Sequence, residues 1–365
     1  MKKLFLTVIS VLGLSAMISS CRNQDISFPD YTYQTLYFAY QTPVRKIVLG
    51  DDDQYDNSSD TAHECKIIAT VGGEYSNDHD IKINFNVDPT LCNNLSTSFG
   101  TKIVAMPSNY YSLDGSSITI PKGSMEGGIN VHLTDAFFND PASTNPTFKD
   151  VKYVIPLVMT TTDSGDSILR GKPAVGVSNA YRVNSGDWST QPKDYILYGI
   201  KYINPWDANW LCRGIDYVTK PDGTTKTITR HPTYVESDAV VTLTGNSLTS
   251  DIYPVSDTLY VYNPAPGHQK YENMVFTDNL LLTFDNTGKN CTITSNTSGF
   301  TASGTGTWVK KGEKNSWGSK DRDGLYLNYN INFNNGYKYA TKDTLVLQDR
   351  NEKLETFDTV YTGSN

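Results

Sequence analysis

Ile81-Lys82-Ile83-Asn84-Phe85-Asn86-Val87 sets four apolar residues at a strict period of two, with polar residues between them. Side chains on a strand point alternately to its two faces, so this stretch reads as a strand with one buried and one wet face. The same pattern spreads outward from it. Leu36-Tyr37-Phe38-Ala39-Tyr40, Lys46-Ile47-Val48-Leu49 and Cys65-Lys66-Ile67-Ile68-Ala69-Thr70-Val71 precede it; Ile118-Thr119-Ile120, Ile129-Asn130-Val131-His132-Leu133 and Tyr153-Val154-Ile155-Pro156-Leu157-Val158-Met159 follow. Turn residues such as Asp114-Gly115 and Pro121-Lys122-Gly123 lie between the runs. Proline cannot donate to a ladder, so Pro156 predicts an edge strand or a bulge. Many short strands with turns between them predict an antiparallel sandwich of immunoglobulin-like type over residues 34–183.

The pattern lapses at Asn184-Ser185-Gly186-Asp187-Trp188-Ser189-Thr190-Gln191-Pro192, where a domain boundary is expected. Residues 188–365 then form a second β set. It opens with Tyr195-Ile196-Leu197-Tyr198-Gly199-Ile200-Lys201-Tyr202 and continues through Val240–Leu243, Thr258–Tyr262, Leu280–Phe284 and Cys291–Thr294. Leu325–Phe333, the turn Asn334-Asn335-Gly336 and Tyr337–Thr341 read as a hairpin. With no helical periodicity, this half is expected to be a closed barrel or a second sandwich. The fold class is all-β throughout.

At the other end, Met1-Lys2-Lys3 carries positive charge, Leu4 to Ile18 is an apolar run, and Ile18-Ser19-Ser20-Cys21 matches a lipoprotein cleavage box. The run is about fifteen residues, short of the roughly 20 that span a bilayer. Residues 1–21 are therefore expected to be a signal peptide, with Cys21 the lipidated residue and 22–33 a tether. Net charge is -8 at pH 7, with both signs scattered, which argues against a nucleic-acid partner. Twenty-four tyrosines and five tryptophans suit a β-rich exported chain.

Signs of catalysis are few. His63, His79, His132, His231 and His268 are dispersed, and no nucleophile elbow, P-loop or dinucleotide fingerprint occurs. Asp51-Asp52-Asp53 lacks the spacing of a calcium loop and reads as a solvated turn. No metal site, cofactor or enzymatic activity is predicted. In an oxidising compartment Cys65 and Cys92 either form a disulfide or stay as buried thiols.

The aromatic residues carry the functional expectation. Sugar rings have apolar C–H faces and hydroxyl edges, so a glycan site combines an aromatic platform with polar groups at its rim. Trp206-Asp207-Ala208-Asn209-Trp210, followed by Arg213, supplies both. Trp206, Trp210, Asn209 and Arg213 are the candidate glycan-binding residues; the competing reading is that the indoles fill the core.

The lipobox, Pro107–Leu113, Leu133–Phe138, Tyr153–Leu157 and Asp166–Gly171 together resemble an N-terminal domain of unknown function found in Bacteroidetes surface lipoproteins. Tyr202-Ile203-Asn204-Pro205-Trp206, Arg213-Gly214, Trp317–Asp323 and Leu325-Tyr326-Leu327 are similar to the lipocalin-like C-terminal domains that follow it. The resemblance implies a lipocalin-like barrel in the second half. It also implies a place in polysaccharide-utilisation systems, with a glycan and an outer-membrane transporter complex as partners. The expected protein is a non-catalytic, lipid-anchored outer-membrane lipoprotein at the cell surface that captures carbohydrate; the other expectation is a structural or adhesive subunit that binds a protein partner.

Overall fold

A computed structural model describes residues 31–363 apart from 53–54, 145–149, 164–165, 264–269 and 351–353. The signal segment, Cys21 and His268 lie outside the described residues. The chain is nearly all β, as its alternation predicts. The main strands of the first domain are β1 (Thr35–Tyr37), β2 (Pro43–Val48), β3 (Glu64–Gly72), β4 (Ile81–Val87), β5 (Ser117–Ile120), β6 (Glu126–Leu133), β7 (Tyr153–Thr162) and β8 (Tyr195–Ile203). One sheet runs β1-β3-β6 and the other β2-β8-β7-β4-β5, each with short flanking strands. Ile81, Ile83 and Phe85 point into the core between the sheets, while Val87 is exposed at the strand end.

Three features depart from the antiparallel sandwich expected. First, β2 runs parallel to β8, and β1 runs parallel to Ser167–Ile168. Parallel neighbours need a long crossover, and more than a hundred residues separate β2 from β8. Second, β7 is central, paired to β4 on one side and β8 on the other. Pro156 is tolerated because its nitrogen faces the stretch just past the end of β4, where its carbonyl accepts from the Asp88 N–H at 2.9 Å. The register shift in β7 lies further on, between Met159 and Thr161.

Third, β8 belongs to the first domain. Its residues were expected to open the second. All nine are buried, and they alternate between two cores: Ile196, Tyr198, Ile200 and Tyr202 face the other sheet, while Tyr195 and Leu197 join a cluster on the outer side with Leu91, Leu95, Ile103 and Phe357. A strand buried on both faces reads as a continuous apolar run, which is why it resembles the start of a new unit. The C-terminus also returns: Glu355–Thr356 pairs with β2, and Thr359–Tyr361 pairs with Leu95–Thr97. The barrel accordingly spans about 204–350 rather than 188–365.

The second domain comprises β9 (Ala208–Thr219), β10 (Thr225–Arg230), β11 (Ala239–Ser247), β12 (Ser250–Asn263), β13 (Lys270–Phe284), β14 (Asn290–Ser295), β15 (Phe300–Glu313), β16 (Arg322–Phe333) and β17 (Lys338–Asp349). Strands β9 and β11 to β17 pair in sequence, and β17 returns to β9 to close an eight-stranded antiparallel barrel. Strand β10 pairs along the second half of β9. Eight strands closed on themselves enclose either a packed interior or room for one small ligand. The β16–β17 hairpin forms as predicted, with Gly336 at φ 89° in its turn.

The domains are joined by buried polar groups. Asn204 Nδ2 donates to the Ser247 and Ser250 carbonyls at 2.9 and 3.2 Å, and its Oδ1 accepts from the Trp206 and Asp207 N–H groups at 3.0 Å. Arg350 donates to the carbonyls of Asp207, Asn204 and Leu49, and so ties the end of β17 to both domains. Burial pushes the Asp207 carboxyl up to about 6, against the opposing pull of the Gly245 N–H and of Arg350, Lys46 and Lys201.

Candidate functional site

The predicted tryptophan platform is not at the surface. Trp206 is 5% exposed and stacks flat on Phe284, ring centroids 3.6 Å apart and planes 2° apart. Trp210 is fully buried, and its Nε1 donates to the Trp206 carbonyl at 3.0 Å. Strand parity separates the proposed partners: along β9 the even positions face inward, so Asn209 and Arg213 lie on the outside. There Asn209 bonds Asp349 and Thr242, and Arg213 Nε donates to Asp238 at 2.6 Å. The four residues thus do not converge on a glycan site; the indoles belong to the core. The cysteine bridge is likewise absent. Cys65 and Cys92 are free and buried in different apolar clusters, one between the sheets and one on the far side of β8. Burial pushes both thiols up to about 12.

Inside the barrel the end nearest the first domain is plugged by Trp206, Trp210, Leu282, Phe284, Leu325 and Leu345. The other end is hollow. A cavity of about 310 Å³ opens there, at the lower bound of ordinary small-ligand pockets. Its apolar wall is Ile228, Val255, Phe276, Ile331, Phe333 and Tyr339. Phe333 sits at the centre of the aromatic group, its ring centroid 5.8 Å from Phe276, 5.4 Å from Phe300 and 5.7 Å from Tyr339, all edge-on.

Below this wall lies a polar layer. Arg230 Nε donates to Asp216 Oδ2 at 2.8 Å, and its Nη2 reaches Asp216 Oδ1 at 3.1 Å and Asp343 Oδ1 at 2.5 Å. The Tyr253 and Tyr329 hydroxyls both donate to Asp343 Oδ2, at 2.8 and 2.7 Å. Thr341 Oγ1 donates to Asp216 Oδ1 at 2.8 Å. Burial, followed by the neighbouring Tyr329 and Asp343, drives the Tyr253 hydroxyl well above its ordinary range, so it stays a donor. Gly214 makes room for the cluster: a Cβ there would lie 2.1 Å from Asp343 Oδ1 and 2.8 Å from Arg230 Nη2. A buried charged network of this kind holds only when each group finds partners.

Asp278, on β13, is the third carboxyl group of the polar layer. It is 1% exposed; Ser295 Oγ donates to its Oδ1 at 3.2 Å, and its Oδ2 has no hydrogen-bond partner. Burial pushes this carboxyl up to about 6. None of these cavity residues was singled out from the sequence. The available signal was parity: Asp343 shares the inward register of Tyr339, Thr341 and Leu345, and Asp278 that of Phe276, Leu280 and Leu282. A carboxylate in an inward position marks either a satisfied network or a site. Among the described residues no group of three or more His, Cys, Asp or Glu side chains is placed to hold a metal ion, and no helix is long and apolar enough to cross a membrane.

Residues 205–351 match the family model described as a domain of unknown function, DUF5627, and residues 31–166 match one described as a "-like, N-terminal domain". A solved structure of unknown function from Bacteroides ovatus shares 40% identity, covering 90% of this chain and 99% of that one, with a TM-score of 0.78. The chain belongs to the same family as that protein. The match runs through both domains, so the sandwich and barrel form a shared unit. A more distant structure, titled an auxiliary nutrient binding protein from Bacteroides thetaiotaomicron, has 14% identity over 89% of this chain and 94% of that one, with a TM-score of 0.33. No curated protein matches.

Proposed function

We propose that the protein is a non-catalytic carbohydrate-binding lipoprotein of the cell envelope, and that the open end of the barrel is its sugar site. The observation that carries this reading is one cavity that joins an aromatic wall to buried polar groups. Phe276, Phe333 and Tyr339 offer faces and edges to the C–H side of a ring, while Asp278 and the Arg230 guanidinium offer hydrogen bonds to hydroxyls. The volume suits a terminal sugar or a short fragment, not a long chain threaded through. The first domain serves as a spacer, held rigidly to the barrel through Asn204 and Arg350. The lipobox at Cys21 supports lipid attachment to a membrane, and the family resemblance supports a place on the outer membrane beside a glycan transporter.

Calorimetry of the soluble chain against a panel of mono- and disaccharides tests the site. At least one sugar should bind the parent. Val255→Trp, which fills the cavity from β12, should weaken that binding by more than about tenfold while the melting transition is retained. If the parent binds no saccharide, the reading fails and the adhesive or structural one replaces it. If the filled variant binds as well as the parent, the sugar site lies elsewhere. For the anchor, Cys21→Ala should lose incorporation of a fatty-acid analogue; retained label would refute lipidation at this residue.

A further inference from the structure

We propose that the ligand of the barrel cavity carries a protonated amine, seated on Asp278; resting on the carbohydrate reading, this names its class as an amino sugar. The first support is the state of the polar layer. Both oxygens of Asp216 and of Asp343 are supplied with donors by Arg230, Thr341, Tyr253 and Tyr329. Asp278 is different. It is 1% exposed, it lines the cavity, and its Oδ2 has no donor among the described residues. Leaving a buried acceptor without a donor is costly, so a group that brings donors to this position is favoured.

Charge narrows the choice. Among the described residues, the ionisable groups that line the cavity are Asp216, Asp278, Asp343, Arg230, Cys212 and the tyrosines 253, 329 and 339. Among these described groups, three carboxyls face one guanidinium, and that guanidinium is already shared between Asp216 and Asp343. The unmatched charge resides on Asp278, on the wall across the barrel from β9 and β17. An ammonium has three donors and no acceptor, which complements a bare carboxylate oxygen. A hydroxyl gives one donor without charge, and a uronic acid would be repelled. Phe276, two residues along β13 on the same inward face, adds an aromatic surface that attracts a cation. Past the last register pair of β14, Leu280 with Ser295, the chain stays beside Asp278 through Asn296 and Thr297, yet Asp278 Oδ2 is left without a hydrogen-bond donor among the described residues.

The test is calorimetry of the soluble chain at neutral pH with four probes: glucosamine, glucose, glucuronate and cyclohexylamine. Glucosamine should bind at least about tenfold more tightly than glucose, and glucuronate most weakly. Asp278→Asn, which keeps the shape, should remove the preference for glucosamine over glucose. Glucose binding as well as glucosamine in the parent would overturn the amine assignment while leaving the carbohydrate reading intact. Cyclohexylamine bound in an Asp278-dependent way with no sugar bound would do the reverse. If Asp278→Asn loses its melting transition, the ranking of the four probes on the parent decides, and binding of none of them overturns both.

Discussion

The two domains place their inward-facing residues under opposite rules. In the sandwich, every second position along β3, β4 and β7 is apolar, and Ile67, Ile83 and Ile155 are fully buried. In the barrel the same alternation begins with Trp210, Leu282 and Leu325 but then passes through Asp216, Asp278 and Asp343 before it ends in aromatic residues. A sandwich can bring its sheets together until the gap is filled, whereas a closed barrel has a diameter set by its strand number. Where the inward side chains shorten or become polar, the barrel stays open. The difference teaches that the filled parts of this molecule set its shape, and that its barrel keeps the unfilled part on which the ligand proposal rests.

Three measurements would break or sharpen that contrast. The largest effect is expected from where the chain is cut. A fragment of 204–350 should melt cooperatively as a barrel, whereas 188–365 carries β8 with nine buried residues stripped of their partners and should aggregate. Light scattering and thermal circular dichroism compare the two; a well-behaved 188–365 would mean that β8 can be spared from the sandwich.

Next is the plug. Trp210 is fully buried beneath the cavity, so Trp210→Ala should cost about 3–5 kcal/mol, read as a lowered urea midpoint with an unchanged slope. A loss below about 1 kcal/mol would show that the plug end is as loose as the open end.

The smallest effect concerns Asp278. Its carboxyl titrates near 6 in the folded chain against an ordinary 3.8, so between those values the folded state holds more protons than the unfolded one. Stability contributed by this group is therefore full below about 4, falls as pH rises, and levels off above about 6. Asp278→Asn should stabilise the protein by about 1–3 kcal/mol at pH 7.5 and by nearly nothing at pH 4. Asp207 shifts in the same direction in both proteins, so the difference between them isolates Asp278. A gain of equal size at both pH values would assign the effect to packing rather than to charge.

Much of the fold was readable from residue order. The strands at Ile81–Val87, Glu64–Gly72 and Arg322–Phe333 follow from period two, and the last hairpin from Asn335-Gly336. The candidate site was not. Trp206 and Trp210 attract notice because tryptophan is rare and lies among polar residues, yet the neighbours that make the stretch polar point the other way along β9. Asp278 and Asp343 look like ordinary surface acids until the register that turns them inward is known.

By itself, then, the sequence determined what is local: which segments are strands, which face of each is apolar, where a two-residue turn fits, and that the N-terminus carries a lipobox. These depend on neighbouring residues and on the two-residue period of an extended chain. Only the tertiary structure decided what depends on long-range pairing. Strand β8 joins β2 in parallel across more than a hundred residues, β17 returns to β9 to close the barrel, and the C-terminal segment crosses back to the first domain. Closure fixes how wide the interior is, and width decides whether inward carboxylates are crushed, paired or left facing a space. For Asp278 it left one carboxylate oxygen facing the cavity without a donor among the described residues.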